Sequence, residues 1–207
     1  MILTAQHGRA NKIHISVDGE YRFTVDADFW YLSGYADGDE IDEEALKELE
    51  ERIQARRCFN RALNLLARRE HSEKELTAKL ARADGAAAAA SAVERVRQLG
   101  YLDDSRYAKA LVNELSARKG MSERGILQEL LRRGVDRETA EEALEETELD
   151  ECDKIEMLLN GKYRNRLADE KGRRQVFNAL LRLGYGYAQV RSAMKEHEFD
   201  PDEEDAL

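Results

Sequence analysis

Fifty residues separate Leu130 from Leu180, and the segments that begin there keep step without a gap: LLRRGVDRETAEEAL against LLRLGYGYAQVRSAM. Each reads the same way. A leucine pair ends one helix, and Gly134 or Gly184 stops it, glycine being the residue that takes the left-handed conformation after a helix C-terminus. An apolar stripe (Ala140, Ala143, Leu144; Val190, Ala193, Met194) then begins the next helix. The same interval leads from Ser72 to Ser122 and on to Gly172, each followed at helical spacing by Leu76 and Leu80, Ile126 and Leu130, or Val176 and Leu180. Units of this size cannot bury an apolar face alone, so they stack on one another. The period predicts a mainly α chain of three tandem three-helix repeats forming an elongated, curved body.

Caps support the same division. Ser72 with Glu75 spells an S-x-x-E capping box, and Met121 with Ile126 spells a hydrophobic staple around Ser122. Asp103-Asp104 opens a helix bearing Tyr107, Ala108, Leu111 and Leu115 that Lys119-Gly120 ends, and Asp136 caps the next. Ile155, Leu158, Leu159 and Tyr163 make the first helix of the last repeat. The first repeat is looser, with roughly three extra residues in the alanine-rich stretch Gly85 to Ala90 ahead of Val93, Val96 and Leu99.

The amino-terminal region differs. Ile13, Ile15 and Val17 alternate with polar residues, as do Tyr21, Phe23 and Val25, and Asp18-Gly19 between them is a two-residue hairpin signal. Two strands are marginal in water, so a third is expected from Ile2 to Ala5. Phe29, Trp30, Tyr31 and Tyr35 are expected to cover one face of this sheet as packed core, because a base-stacking platform would need exposed rings. Asp42 reads as an N-cap, with Ile41 and Leu46 as its staple and Leu46, Leu49 and Ile53 as the buried stripe. This helix either runs on into Cys58–Arg69 or bends at Arg56-Arg57. The expected divisions are a small β-sheet domain with its connecting helix at 1–55, repeats at 56–102, 103–150 and 151–197, and an acidic tail at 198–207.

Only one proline and 37% charged residues suit such a helical chain. No run approaches a membrane span, and no signal peptide opens the sequence. Cys58 and Cys152 lie far apart with no C-x-x-C partner, which points to two free, buried thiols in a reducing cytoplasm. The four histidines lack zinc spacing, no phosphate-binding glycine motif is present, and the carboxylates are too abundant to single out a catalytic pair. No enzyme activity, metal or cofactor is expected.

The net charge of −10 hides a segregated pattern. Residues 1–55 carry 5 basic and 13 acidic side chains, whereas 56–137 carry 18 basic and 11 acidic. Residues 138–150 hold seven acids and no base, and 162–195 return to 9 basic against 2 acidic. The cations recur at matching places: Arg68 and Arg69, then Arg118 and Lys119, close first helices. Second helices carry Lys74 and Lys79; Arg124, Arg132 and Arg133; Arg173, Arg174 and Arg182. Cations at helix C-termini also offset the macrodipole, which accounts for some of them singly. Aligned by stacking, the set would form a stripe suited to a phosphate backbone or an acidic protein surface.

Two runs, LLARREHSEKEL (Leu65–Leu76) and LGYLDDSRYA (Leu99–Ala108), resemble the RecX family, regulators of the bacterial RecA recombinase. The resemblance rests on His71, Ser72, Leu76, Gly100, Tyr101, Asp103, Asp104, Arg106, Tyr107 and Ala108. Most of these are expected to be architectural: Leu76, Tyr101 and Tyr107 packed between helices, Asp103 and Asp104 capping one. It implies three tandem three-helix repeats and a non-catalytic, monomeric cytoplasmic regulator. Such a protein would bind the groove of a RecA filament on single-stranded DNA and modulate strand exchange, ATP hydrolysis and SOS coprotease activity. The acidity of the chain sets it apart from a general DNA-binding protein. The alternatives are a nucleic-acid-binding repeat that acts without RecA, and a protein-interaction scaffold.

Overall fold

The computed structural model describes residues 1–146 and 151–197; the acidic tail at 198–207 and the end of the acidic run, 147–150, lie outside them. The chain forms two compact units, Met1–Ala67 with Thr77–Leu99, and Arg68–Leu76 with the residues from Gly100 onward.

In the first unit, β1 (Leu3–His7), β2 (Lys12–Val17) and β3 (Glu20–Asp26) form an antiparallel sheet in the order β1-β2-β3. Ile13, Ile15 and Val17 of β2 and Phe23 and Val25 of β3 point to one buried face, the alternation a half-covered sheet requires. Asp18 and Gly19 both take positive φ (49° and 82°), as a type I′ turn demands. The short helix α1 (Ala27–Leu32) buries Trp30 in this core, with Phe29 and Tyr35 packed at its margin. Tyr31, expected beside them, is instead 65% exposed, its hydroxyl 3.3 Å from His7 Nε2. Successive residues of a helix point about 100° apart, so a single-sided helix cannot bury both Trp30 and Tyr31.

Helix α2 (Glu43–Leu66) begins where the Asp42 carboxylate accepts the Ala45 N–H at 2.8 Å. Ile41, Leu46, Leu49 and Ile53 complete the sheet's core. The helix does not break at Arg56-Arg57; Arg57 donates to the Thr24 carbonyl at 3.1 Å and ties it to β3. Its later turns bury Cys58 and Ala62 and pack on α4 (Ala86–Gln98). The alanines expected as an insertion are the first turns of α4, entered through Gly85 at φ 85°, alanine being the best helix former. Between them runs α3 (Glu73–Asp84), with the N-terminal turn in the second unit and the rest in the first. Burial and then the Asp84 carboxylate push the Cys58 thiol up to about 11.

The second unit continues with α5 (Asp104–Glu114), drawn out by a π-helical turn at Leu115–Lys119, α6 (Glu123–Arg132) and α7 (Arg137–Glu145). Then come α8 (Glu151–Asn160), a 3₁₀ turn at Arg164–Arg166, α9 (Glu170–Arg182) and α10 (Tyr187–Lys195). Each triplet has its own core: Tyr107, Leu111, Leu115, Ile126, Leu130 and Leu144 in one, Ile155, Leu159, Val176, Phe177, Leu180 and Met194 in the other. The chain is thus mainly α, built of three-helix repeats behind a small sheet.

Three local expectations need correction. Gly172 does not stand where Ser122 stands: α9 is capped by Asp169, whose carboxylate accepts the Gly172 N–H at 2.7 Å, and α9 has 13 residues against 10 in α6. An aspartate can satisfy an N-terminal amide and a glycine side chain cannot, so the helix gains a turn at its start while its end keeps the register. Tyr101 is 52% exposed, because in the stretch after Gly100 (φ 71°) its neighbour Leu102 takes the inward position. Cys152 is exposed, lining a surface groove between α8 and α10 rather than the core.

Candidate functional site

The fifty-residue interval proves to be a joint between repeats. Ser72 Oγ accepts the Glu75 N–H at 3.1 Å, capping α3, and donates to the Arg133 carbonyl at the end of α6 at 2.6 Å. Ser122 Oγ accepts the Gly125 N–H at 3.1 Å, capping α6, and donates to the Leu183 carbonyl at the end of α9 at 3.3 Å. The Ser122 N–H reaches the same carbonyl at 3.0 Å. A hydroxyl can do both because it is at once donor and acceptor. One further amide at each helix start is taken by the next repeat: Glu73 N–H by Asp104 Oδ1 at 2.9 Å, Glu123 N–H by Glu151 Oε1 at 3.0 Å. Asp104 therefore caps α3 and not its own helix, which Asp103 caps through the amides of Ser105 and Arg106. Burial pushes the Asp104 carboxyl above the ordinary range.

These joints position the basic side chains. At the first, Arg69 meets Glu75 at 3.1 Å, and Arg133 lies 3.8 Å from the other oxygen of the same carboxylate. Arg133 also donates to Glu129 and to the Tyr107 hydroxyl, at 2.7 and 2.9 Å. The stem of Lys74 covers Gly134. Arg69, Lys74 and Arg133 are thus brought together. At the second joint, Arg118 and Lys119 precede Gly120, whose carbonyl accepts the Tyr185 hydroxyl at 3.0 Å, and both are exposed. Arg173 is half-buried and donates to the His197 carbonyl at 3.4 Å, with its Nε buried and unpartnered. Arg68 is exposed beside Arg69; Lys79 belongs to the part of α3 in the first unit.

The remaining cations lie on one helical face. Arg124, Gln128 and Arg132 are exposed at successive turns of α6, and Arg174, Asn178 and Arg182 at the matching turns of α9. In α3 the same three places are Lys74, Ala78 and Arg82, also exposed. Each second helix thus carries a cation at both ends of an outward ridge, two turns or about 12 Å apart. Arg82 was missing from the cations read off the sequence. The signal for it was present, since it lies one period before Arg132 and two before Arg182.

Exposure separates the Arg132-Arg133 pair. The Arg132 side chain is 70% exposed and Arg133 21%. Replacing Arg133 with alanine leaves the Tyr107 hydroxyl and Glu129 short of a charged donor, and it should lower the urea unfolding free energy by about 2–3 kcal/mol. Arg132→Ala should cost less than about 0.5 kcal/mol, as solvent screens it. Equal losses in paired urea melts would place both residues on the same footing and refute this assignment.

Glu129 records the same network. Hydrogen bonds from Arg132 and then Arg133 hold its carboxyl down to about 2. A carboxylate depressed in the folded state stabilises above its unfolded pKa, and that stabilisation is lost as pH falls toward the folded value. With discounting for the solvent around Arg132, about 1–2 kcal/mol should disappear between about pH 5 and pH 2. Urea melts of the protein and of Glu129→Gln across that window check this; parallel curves would contradict it.

Among the described residues no helix is long and apolar enough to cross a membrane. Models of the first and second three-helix domains of RecX match residues 58–95 and 103–144. The regulatory protein RecX of Bacillus subtilis is 27% identical over 208 residues, covering 98% of this chain and 78% of the relative. That of Thermus thermophilus is 36% identical over 137 residues, 66% of this chain and 92% of the relative. A crystal structure of a regulatory protein RecX superposes with a TM-score of 0.66 at 20% identity, covering 94% of this chain and 98% of that one, and one from Lactobacillus salivarius with 0.52 at 22%, covering 70% and 97%; these two show the shared fold. The RecX of Caldanaerobacter subterraneus subsp. tengcongensis is 36% identical over 138 residues, 66% of this chain and 70% of the relative, and with the three-helix repeats and their serine joints in view, the chain belongs to the RecX family of regulatory proteins.

Proposed function

We propose that the chain regulates a RecA recombinase by binding the groove of the RecA filament on single-stranded DNA, and that it changes strand exchange, ATP hydrolysis and coprotease activity without catalysing a reaction itself. The observation that carries this reading is the paired cation ridge, repeated on all three second helices at the repeat period. A filament is itself periodic, and a ligand with cations at regular intervals can meet equivalent anionic groups on successive subunits or phosphates. In this reading residues 56–102, 103–150 and 151–197 are three binding modules. Residues 1–55 are an accessory domain, and the protein works as a cytoplasmic monomer.

The test is a titration of the full chain into RecA from the same organism during DNA-dependent ATP hydrolysis and strand exchange. Altered rates at substoichiometric protein are expected. No change in either rate, with filament binding also absent, would reject the proposal. Salt-sensitive binding to bare single-stranded DNA without an effect on RecA would instead favour a nucleic-acid-binding repeat acting alone.

A further inference from the structure

In the first unit a cleft of about 690 Å³ opens between α1, α2 and α4. Its floor is apolar: Phe29 and Leu32 from α1, Ala55 and Phe59 from α2, Ala92 from α4. Leu32 is 83% exposed, unusual for a large aliphatic residue beside a formed core. Three guanidinium groups, Arg52, Arg56 and Arg95, ring this floor against one carboxylate, Asp28. None of the three arginines is in an ion pair among the described residues; Arg52 donates to the Ser33 carbonyl at 3.0 Å and stands over the Phe29 ring at 6.0 Å.

The basic rim is not a by-product of the fold. The last repeat has the same groove between its first and third helices, lined by Cys152, Ile155, Glu156 and Leu159 of α8, one hundred residues on from Arg52, Ala55, Arg56 and Phe59. Apolar positions match apolar positions, but Glu156 stands where Arg56 stands, and no arginine or lysine lines that groove. The cations at this groove therefore separate the first repeat from the last; the middle repeat keeps Arg106 fifty residues on from Arg56.

We propose that this cleft docks a short acidic peptide segment of a partner protein, with one aromatic or branched aliphatic side chain seated on Phe29, Leu32 and Phe59 and flanking carboxylates held by Arg52, Arg56 and Arg95. The volume suits a few side chains, and guanidinium forks match carboxylates in pairs. A nucleic acid fits less well. A base stacking on Phe29 would compete with Arg52, which stands over that ring at 6.0 Å. A long polyanion would also meet the acids that crowd the first turns of α2, Glu43, Glu44, Glu48, Glu50 and Glu51, whereas a short segment need only cover the cleft. This inference is independent of the proposed action on RecA.

The experiment uses the full chain and a fluorescein-labelled probe peptide of six glutamates and aspartates around a central Phe-Leu. Its controls are a Gln/Asn analogue of the probe and a single-stranded decathymidylate. The acidic probe should bind at least about ten-fold more tightly than the neutral analogue and weaken as salt rises. Arg56→Glu with Arg95→Glu should abolish that preference, and a lysine version of the probe should then bind the doubly reversed chain. Leu32→Asp, at an exposed position that folding does not need, should weaken the acidic probe about ten-fold with an unchanged melting temperature. Equal affinity for acidic and neutral probes would overturn the proposal. So would affinities within about two-fold after the arginine reversals, or displacement of the peptide by the decathymidylate.

Discussion

Gly184→Ala should destabilise the protein by about 3–4 kcal/mol, and Gly134→Ala, one period earlier, by a comparable amount. Both glycines follow a second helix and take positive φ, 90° at Gly134 and 98° at Gly184, so both alanines pay the left-handed backbone cost. They differ in what the new methyl group meets. At Gly134 it comes 2.3 Å from Lys74 Cδ, which can swing away, and 2.5 Å from Lys74 Cβ, which the start of α3 holds in place. At Gly184 it would lie 2.6 Å from the Gly125 backbone and 2.5 Å from Ser122 Oγ, atoms fixed by the start of α6. The joint would have to open, and with it the Ser122–Leu183 bonds. Gly125→Ala tests the same joint from the other side without any φ penalty, since its Cβ would stand 2.2 Å from the Leu183 carbonyl oxygen. Urea melts of the three variants give the answer. Losses of only about 1–2 kcal/mol at Gly134 and Gly184 would mean that backbone conformation alone matters there.

The second large effect concerns binding. Arg124→Glu combined with Arg182→Glu should weaken association with the RecA filament by about ten- to a hundred-fold, with the melting temperature unchanged. Both residues are exposed on their ridges and neither is in an ion pair among the described residues, so reversal removes no internal bond. The salt dependence of binding should become shallower as well, because fewer counterions are displaced. Arg133 is the wrong residue for this test despite its place in the sequence pattern. Its reversal would strike Tyr107 and Glu129 first, and a loss of binding would then report unfolding. An unaltered filament affinity in the Arg124, Arg182 variant would remove the ridges from the interface.

Much of the architecture was legible because periodicity and caps are local signals. Asp42, Asp103, Ser122 and Asp136 each cap the helix they precede, and Gly134 and Gly184 stop theirs. What escaped were properties that depend on a distant partner. Glu75 completes a capping-box spelling, yet its carboxylate is engaged by Arg69 and Arg133, the latter far along the chain. Asp104 looks like a cap for its own helix and serves another, since nothing local says which amide it faces. Tyr101 and Leu102 are both apolar enough to bury, and only the path after Gly100 decides between them. The same limit applies to the candidate site: a run of Arg132-Arg133 cannot show that one arginine is outside and the other held within. Arg82 was the opposite case, recoverable from the period alone.

The Ser72 and Ser122 hydroxyls carry one more consequence, for how one helix start is tied to the next repeat. Each hydroxyl caps its own helix by accepting, and reaches the following repeat by donating. At the head of α9 that place is filled by Asp169, and an ionised carboxylate has no hydrogen to give. It caps as well as serine but cannot hand the chain of joints onward. Among the described residues the donated bond that joins α3 to α6 and α6 to α9 thus has no counterpart at the head of α9, and a serine at its cap would restore the missing donor.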